Sequence, residues 1–178
     1  MILSFSIECN SLTEFLDHWS TKYRDPKFRD RDKYDPYVGR LPLTEEGRRH
    51  LFEWKNGTTL SRPKTRSVEQ NYPLSFPKNQ LAKRYLDPQA NGGSIWNIFY
   101  MHCIDPQTWP IFDQHTYRAM HFMKAGVIRE ISADKANVYE SYEREYIPYV
   151  KALASHRRKI DKALYAFGQF LKIASAYR

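Results

Sequence analysis

Apolar positions recur along this chain at a spacing of three and four, which predicts helices from end to end. Residues 1–8 alternate enough to read as a short strand or an ordered arm. Ser11 and Glu14 then have the spacing of a capping box, and Leu12, Phe15, Leu16, Trp19 and Tyr23 fall on one face of the helix they open. Thr44 caps a second helix, which runs to Trp54 and stops at Asn56-Gly57. A short helix is expected over 76–86, with Leu81 and Leu86 inward. Ile95 to Ile104 is apolar on nearly every face, the mark of a buried helix, with Ser94 as its expected N-cap. Asp113 opens the next helix, and Gly126 ends it. Asp134 or Ser132 caps a tyrosine-rich helix that should kink or break at Pro148. The last helix, 157–176, carries Ile160, Ala163, Leu164, Phe167, Leu171 and Ala174 as one stripe.

Between these elements the polar segments divide into two kinds. Residues 24–42 mix charges of both signs with Pro26, Pro36 and Pro42, and read as a solvated connector. Residues 58–84 hold Arg62, Lys64, Arg66, Lys78, Lys83 and Arg84 against the single acid Glu69, interleaved with Tyr72, Pro73, Phe76 and Pro77. That stretch suits a basic loop lying along phosphates, or equally a solubilising loop. His156, Arg157, Arg158 and Lys159 place cations at a helix N-terminus, where they oppose the dipole; a phosphate partner or a solvated turn explains them equally well.

Charge widens this picture. The 178 residues carry a net charge of +8, which favours a polyanionic partner, most simply nucleic acid. Aromatic residues make up 15 %; base stacking is one use for them, and a core use accounts for most. Cys9 and Cys103 are the only cysteines, too far apart for a disulfide framework or a zinc spacing. His102 and His121 have no ligand spacing with His115 and read as core or surface residues. No segment has the form of a signal peptide or a membrane span, so a cytoplasmic protein is expected.

The stretch from Asn91-Gly92-Gly93-Ser94 to Arg118 gathers the candidate chemistry. A glycine turn, a buried helix, the apolar plug Ile111-Phe112 and then Asp113-Gln114-His115-Thr116-Tyr117-Arg118 follow in order. Asp113 on its own is a favoured N-cap. This stretch, a small part of the chain, resembles the hairpin and D-x-H-x-x-R element of helix-hairpin-helix DNA glycosylases, with the turn reading NGGS in place of the family's usual LPGVG. The resemblance implies a mainly α, glycosylase-like fold within a single domain, 1–178. Two small lobes, 1–88 and 89–178, would flank an active-site cleft. It makes Asp113 the catalytic acid residue, His115 a structural or DNA-side residue, and Arg118 an anchor for its helix. The position that bears a lysine in bifunctional members falls at Ser94. Serine cannot form a Schiff base, so a monofunctional enzyme leaving an abasic site is expected.

On this reading Gly92, Gly93 and Ser94 offer backbone amides to phosphate, with Arg62, Lys64, Arg66, Lys83, Arg84 and His115 as further DNA contacts. Trp54, Asn56, Trp96, Tyr100, Phe112 and Tyr117 are the candidate base pocket. The partner is double-stranded DNA bound by a monomer, with no membrane, cofactor, metal or iron–sulfur cluster. The substrate is a damaged or modified base; the divergent first lobe leaves room for a bulky modified cytosine of phage DNA, excised in defence. Two other readings stay open: a catalytically silent module binding duplex or abasic DNA, and a helical RNA-binding or interaction protein.

Overall fold

The computed structural model describes residues 8–25 and 29–175, so the strand or arm expected at 1–8 lies outside the described residues except for Glu8. Nine α-helices follow: α1 Leu12–Lys22, α2 Glu45–Asn56, α3 Arg62–Asn71, α4 Leu81–Tyr85, α5 Ser94–Ile104, α6 Gln114–Ala125, α7 Lys135–Glu140, α8 Ile147–Ala152 and α9 Arg157–Ser175. The described residues contain no strand. The chain is mainly α, as its periodicity requires.

Helix α5 is the centre of the core. Every residue from Asn97 to Ile104 is buried, so the apolar run packs on all sides, as a helix without a polar face must. Its one central amide is fully used: Asn97 Oδ1 accepts from the Tyr72 hydroxyl at 2.9 Å, and Nδ2 donates to the Tyr139 oxygen at 2.8 Å. His102 is equally internal, between the Tyr34 hydroxyl at 2.6 Å and the Trp109 carbonyl at 2.7 Å. Burial holds its pKa far down, at about 3, so it is a neutral core residue. The cap differs from expectation: Gly93 is the N-cap of α5 and Ser94 is its first helical residue, with no side-chain capping bond. Gly92 precedes it at φ +87°, where a Cβ would meet the Tyr72 hydroxyl at 2.4 Å. A glycine is required there by both backbone and space.

Around α5, the terminal helices close the structure. Helix α9 packs against both α1 and α6, through Phe15, Trp19 and Phe167. One apolar core runs from Phe15 to Leu171, so residues of both expected lobes share it. Arg118 ties α6 down as an anchor would: it makes a bidentate contact with Glu130 at 2.8 and 2.9 Å and donates to the Gly168 carbonyl at 3.2 Å.

Three segments depart from the sequence expectation. Residues 58–84 are not one loop: Arg62–Asn71 is helical, opened by Pro63 in its first turn, and Lys78–Gln80 and α4 follow. The connector 24–42 is not merely solvated, because a π-helical turn, Asp30–Tyr34, buries both of its end residues. Pro148 does not end its helix. The backbone widens into a π-helical stretch, Ser141–Tyr146, just before it and resumes as α8; wider winding relieves the clash and lost hydrogen bond that proline imposes on the preceding turn. Among the described residues, no helix is long and apolar enough to cross a membrane, and no group of three His, Cys, Asp or Glu could hold a metal ion.

Candidate functional site

Asp113 sits where the plug Ile111-Phe112 hands over to α6. Its backbone is extended (φ −160°), and its Oδ1 accepts from the amides of His115 at 2.9 Å and Thr116 at 3.1 Å. Thr116 Oγ1 reciprocates by accepting from the Asp113 amide at 3.0 Å, which completes a capping box. That leaves Oδ2 for a different partner. Lys55, in the last turn of α2, donates to Oδ2 at 3.1 Å and to the Phe112 carbonyl at 3.1 Å. The lysine side chain is only 7 % exposed and the aspartate 20 %, so this is an internal ion pair at a cavity wall. Burial by itself raises the Asp113 pKa. The Lys55 charge and the Thr116 amide outweigh it, and the carboxyl is held below its ordinary value. The acid is kept ionised.

A cavity of about 130 Å³ opens in front of this pair, lined by Tyr23, Trp54, Lys55, Asp113, Arg158 and Asp161 among others. Its far wall is a clamp built on Asp30. This carboxylate accepts from Tyr23 Oη at 2.9 Å, Trp54 Nε1 at 2.8 Å and Lys162 Nζ at 3.1 Å, and from Arg158. Burial raises the Asp30 pKa, but Arg158 and these donors bring it below the normal value. The Arg158 guanidinium lies over the rings of Tyr34, Trp54 and Tyr23, at 4.5, 5.4 and 5.5 Å from their centroids. Arg29 donates to the carbonyls of Gly57, Glu53 and Trp54 and so closes the C-terminal end of α2. Trp54 is therefore fixed from three sides.

Asp161, on α9, lines the cavity together with Asp113 and Asp25. It is 3 % exposed, and its Oδ1 has no hydrogen-bond partner. Burial lifts its pKa against the pull of Arg158, Arg157 and Lys55, to about 7. A folded pKa above the unfolded one stabilises the fold fully at low pH, and that contribution is lost as pH rises through the folded value. Between pH 5 and pH 7 the loss is about 2 kcal/mol, given an unfolded value near the usual one. Asp161→Asn should flatten the stability profile over that interval in denaturant titrations at each pH. An unchanged slope would show that Asp161 is ionised throughout.

Of the residues singled out from sequence, the structure brings Asp113 and Trp54 to this cavity. Asn56 lies just beyond, bonded to Thr58 and accepting from Lys64 at 2.6 Å. Trp96 packs on Phe52 with Lys64 over its ring, 5.8 Å from the centroid. Tyr100, Phe112 and Tyr117 are core residues: the Tyr100 hydroxyl donates to the Pro73 carbonyl, and Phe112 packs among Tyr117, Tyr142 and Tyr146. None of these five, Asn56, Trp96, Tyr100, Phe112 and Tyr117, lines the cavity. His115 faces α9, against the Tyr165 ring, and accepts from Arg118 at 3.2 Å.

The basic residues form a surface of their own. Arg62, Lys64, Arg66, Lys83 and Arg84 are exposed. Two surface depressions meet at Asn71, one lined by Arg62 and Arg66, the other by Lys83, Arg84, and Ala90 and Asn91 of the turn before α5. At the start of α5 the Ser94 and Ile95 amides have no intrahelical acceptor, while Trp96 and Asn97 donate to the Gly93 carbonyl at 3.0 and 2.9 Å. The cations that open α9 do not belong to this surface. Arg158 turns inward to Asp30, and Lys159 pairs with Asp17, so acids of the chain itself answer them.

Sequence reasoning missed Asp161, although a signal existed: it falls three and seven positions before Leu164 and Gly168, on the buried stripe of α9, where an acid is out of place. Lys55, beside Trp54 and Asn56, reads from sequence as part of a helix end that could line a pocket or as ordinary capping and packing, and Arg158 as a cation for phosphate or a solvated turn. Their pairing with Asp113 and Asp30 has no signal in the sequence. No family model matches this sequence, and no curated protein or solved structure matches it.

Proposed function

We propose that this protein is a monofunctional DNA glycosylase that turns a damaged or modified base out of duplex DNA and hydrolyses its N-glycosidic bond, with Asp113 as the catalytic acid residue. The observation that carries this reading is the state of Asp113: a carboxylate kept ionised by Lys55 and two backbone amides at the wall of a small, aromatic-lined cavity. Cleavage builds positive charge on the deoxyribose as the base departs, and a fixed carboxylate stabilises that oxocarbenium-like state. Trp54 and Tyr23 supply ring surface for a flipped base. The exposed cations of α3 and α4, with the hairpin amides, supply phosphate contacts.

Lys55 is an amine in the cavity, but it is engaged as an ammonium by Asp113 and the Phe112 carbonyl. A protonated amine has no lone pair with which to attack C1′. Water is then the nucleophile, and an abasic site is the product. Modified cytosines of phage DNA, and with them a defence role, are the substrates to try first after the common lesions.

The test is incubation with duplexes carrying single modified bases and with phage genomic DNAs, followed by alkali. Breaks that need alkali and fall about a hundred- to a thousandfold in Asp113→Asn are expected, the range that removal of one transition-state charge contact costs. Breaks without alkali, abolished in Lys55→Met, would instead make Lys55 a Schiff-base nucleophile. Duplex binding without product, unchanged by Asp113→Asn, would leave a silent DNA-binding module.

A further inference from the structure

Three carboxyl groups line the cavity, Asp25, Asp113 and Asp161, and the glycosylase reading uses only Asp113. Asp25 is half-buried and its Oδ2 accepts from the Asp30 amide at 2.8 Å, a local bond that holds the entry to the π-helical turn. Asp161 is 3 % exposed, with Oδ1 unpartnered, and a buried polar atom left unpaired costs stability unless something else uses it. Asp30 is the contrast: four donors from four different residues satisfy it. A satisfied acid holds the structure together, whereas an unsatisfied one facing a cavity awaits a partner.

We propose that Asp161 is the general acid of this site, donating its proton to the departing base while Asp113 faces the sugar. This rests on the glycosylase reading above. The C1′–N bond breaks with its electron pair passing to the base nitrogen, and that nitrogen, or a conjugated heteroatom of the base, takes the Asp161 proton. Water oxygen forms the new bond to C1′ and releases its proton to solvent, from which Asp161 is re-protonated. The base leaves neutral, and no further reactant is needed.

The surroundings suit the role. Arg157 and Arg158 on α9, Lys55 on α2, Asp113 at the start of α6, Tyr34 in the π-helical turn and Tyr142 and Tyr146 in the stretch before α8 are the titratable groups that act on Asp161. The three cations favour its ionised form. Burial and the Asp113 charge oppose them and win, leaving a pKa of about 7. Asp113 and Asp161 thus have pKa values pushed apart by their settings, one acid ionised at neutral pH and the other titrating there, the arrangement that divides electrostatic and proton-donating work between two carboxyls.

The experiment is single-turnover excision from pH 5.5 to 9 by the full chain and by Asp161→Asn and Asp161→Glu. The probes are duplexes carrying uracil, 8-oxoguanine or 5-hydroxymethylcytosine, together with duplex binding and thermal unfolding of each variant. The wild-type rate should be level at low pH and fall about tenfold per unit well above pH 7. Asp161→Asn should lose about a hundredfold or more at pH 6, the usual contribution of a general acid, and should lose the alkaline limb. Its duplex binding should stay within threefold of wild type, and Asp161→Glu should restore a limb. An Asp161→Asn variant that keeps the wild-type rate at pH 6, or the wild-type limb, overturns the assignment and leaves the glycosylase reading standing. A loss of rate matched by loss of folding, with the limb retained, also overturns it. A wild-type protein that yields no abasic site on any duplex sinks the glycosylase reading first, and this assignment with it.

Discussion

Replacing Lys55 with methionine should destabilise the protein by about 3–5 kcal/mol, the cost of leaving one member of a buried ion pair alone. The two charges are not worth that much to each other in net terms; the cost comes from stranding the carboxylate of Asp113 in a wall that no longer balances it. Two amides still reach Oδ1, and Oδ2 loses its partner. The pH dependence follows from the sign of the shift. With Lys55 present the folded Asp113 pKa is depressed, so its stabilisation is present above the unfolded value and lost as pH falls through the folded one. Without Lys55 that advantage goes, and acid unfolding of the variant should lose the Asp113 contribution. The double variant Lys55→Met with Asp113→Asn should recover most of the loss, since asparagine still caps α6 and methionine fills the lysine's space. Urea titrations of the four proteins measure this. A single Lys55→Met cost under about 1 kcal/mol would mean that the pair is solvated and the cavity wall is not as described.

Gly168→Ala should be at least as damaging, against the ordinary direction for a helix. Alanine in place of glycine in a helix interior gains up to about 1 kcal/mol. Here a Cβ would sit 1.9 Å from the His115 carbonyl oxygen and 2.5 Å from its carbon. Those are backbone atoms in the first turn of α6, inside the capping box that runs from Asp113 to Thr116, and they cannot swing aside as a side chain would. Helix α9 must instead move away from α6, which pulls the Gly168 carbonyl from Arg118 and opens the packing around Phe167. A loss of about 3 kcal/mol or more is expected, beyond ordinary overpacking because backbone is involved. Because the same shift displaces His115 and the Asp113 cap, excision should fall with it. A stable, active Gly168→Ala protein would mean that α6 and α9 are free to separate, and would undo the placement of Asp161 and Asp113 in one cavity.

Local chemistry explains which features were legible in advance. Arg118 as an anchor comes only from the resemblance, its Gly168 partner lying 50 positions away, whereas Asp113 as N-cap and the burial of α5 follow from spacing within a dozen residues. Chain-local hydrogen bonds and periodicity govern such features. The basic stretch was misread for a related reason. Pro63 and the scattered cations of 58–84 resemble a loop in composition, while Pro63 sits in the first turn of α3, the one helical place where proline costs nothing. Similarly, π-helical windings at Asp30–Tyr34 and Ser141–Tyr146 have no local signature, because they answer tertiary demands for a buried Asp30 and for room at Pro148.

The sequence by itself determined a mainly helical chain, the order of its helices, a basic balance and a carboxylate at the head of α6. What only the tertiary structure decided is what faces that carboxylate. Lys55 lies 58 positions away along the chain, and Arg158 lies 128 positions from Asp30. No periodicity relates such residues, since their meeting depends on how α2, α6 and α9 pack around α5. The candidate pocket aromatics show the same limit: Tyr100, Phe112 and Tyr117 are near Asp113 in sequence yet buried in the core, while Tyr23 comes from the far end of the chain to line the cavity. A helix presents its neighbours in sequence to different faces, and which face meets the cavity is settled by packing alone.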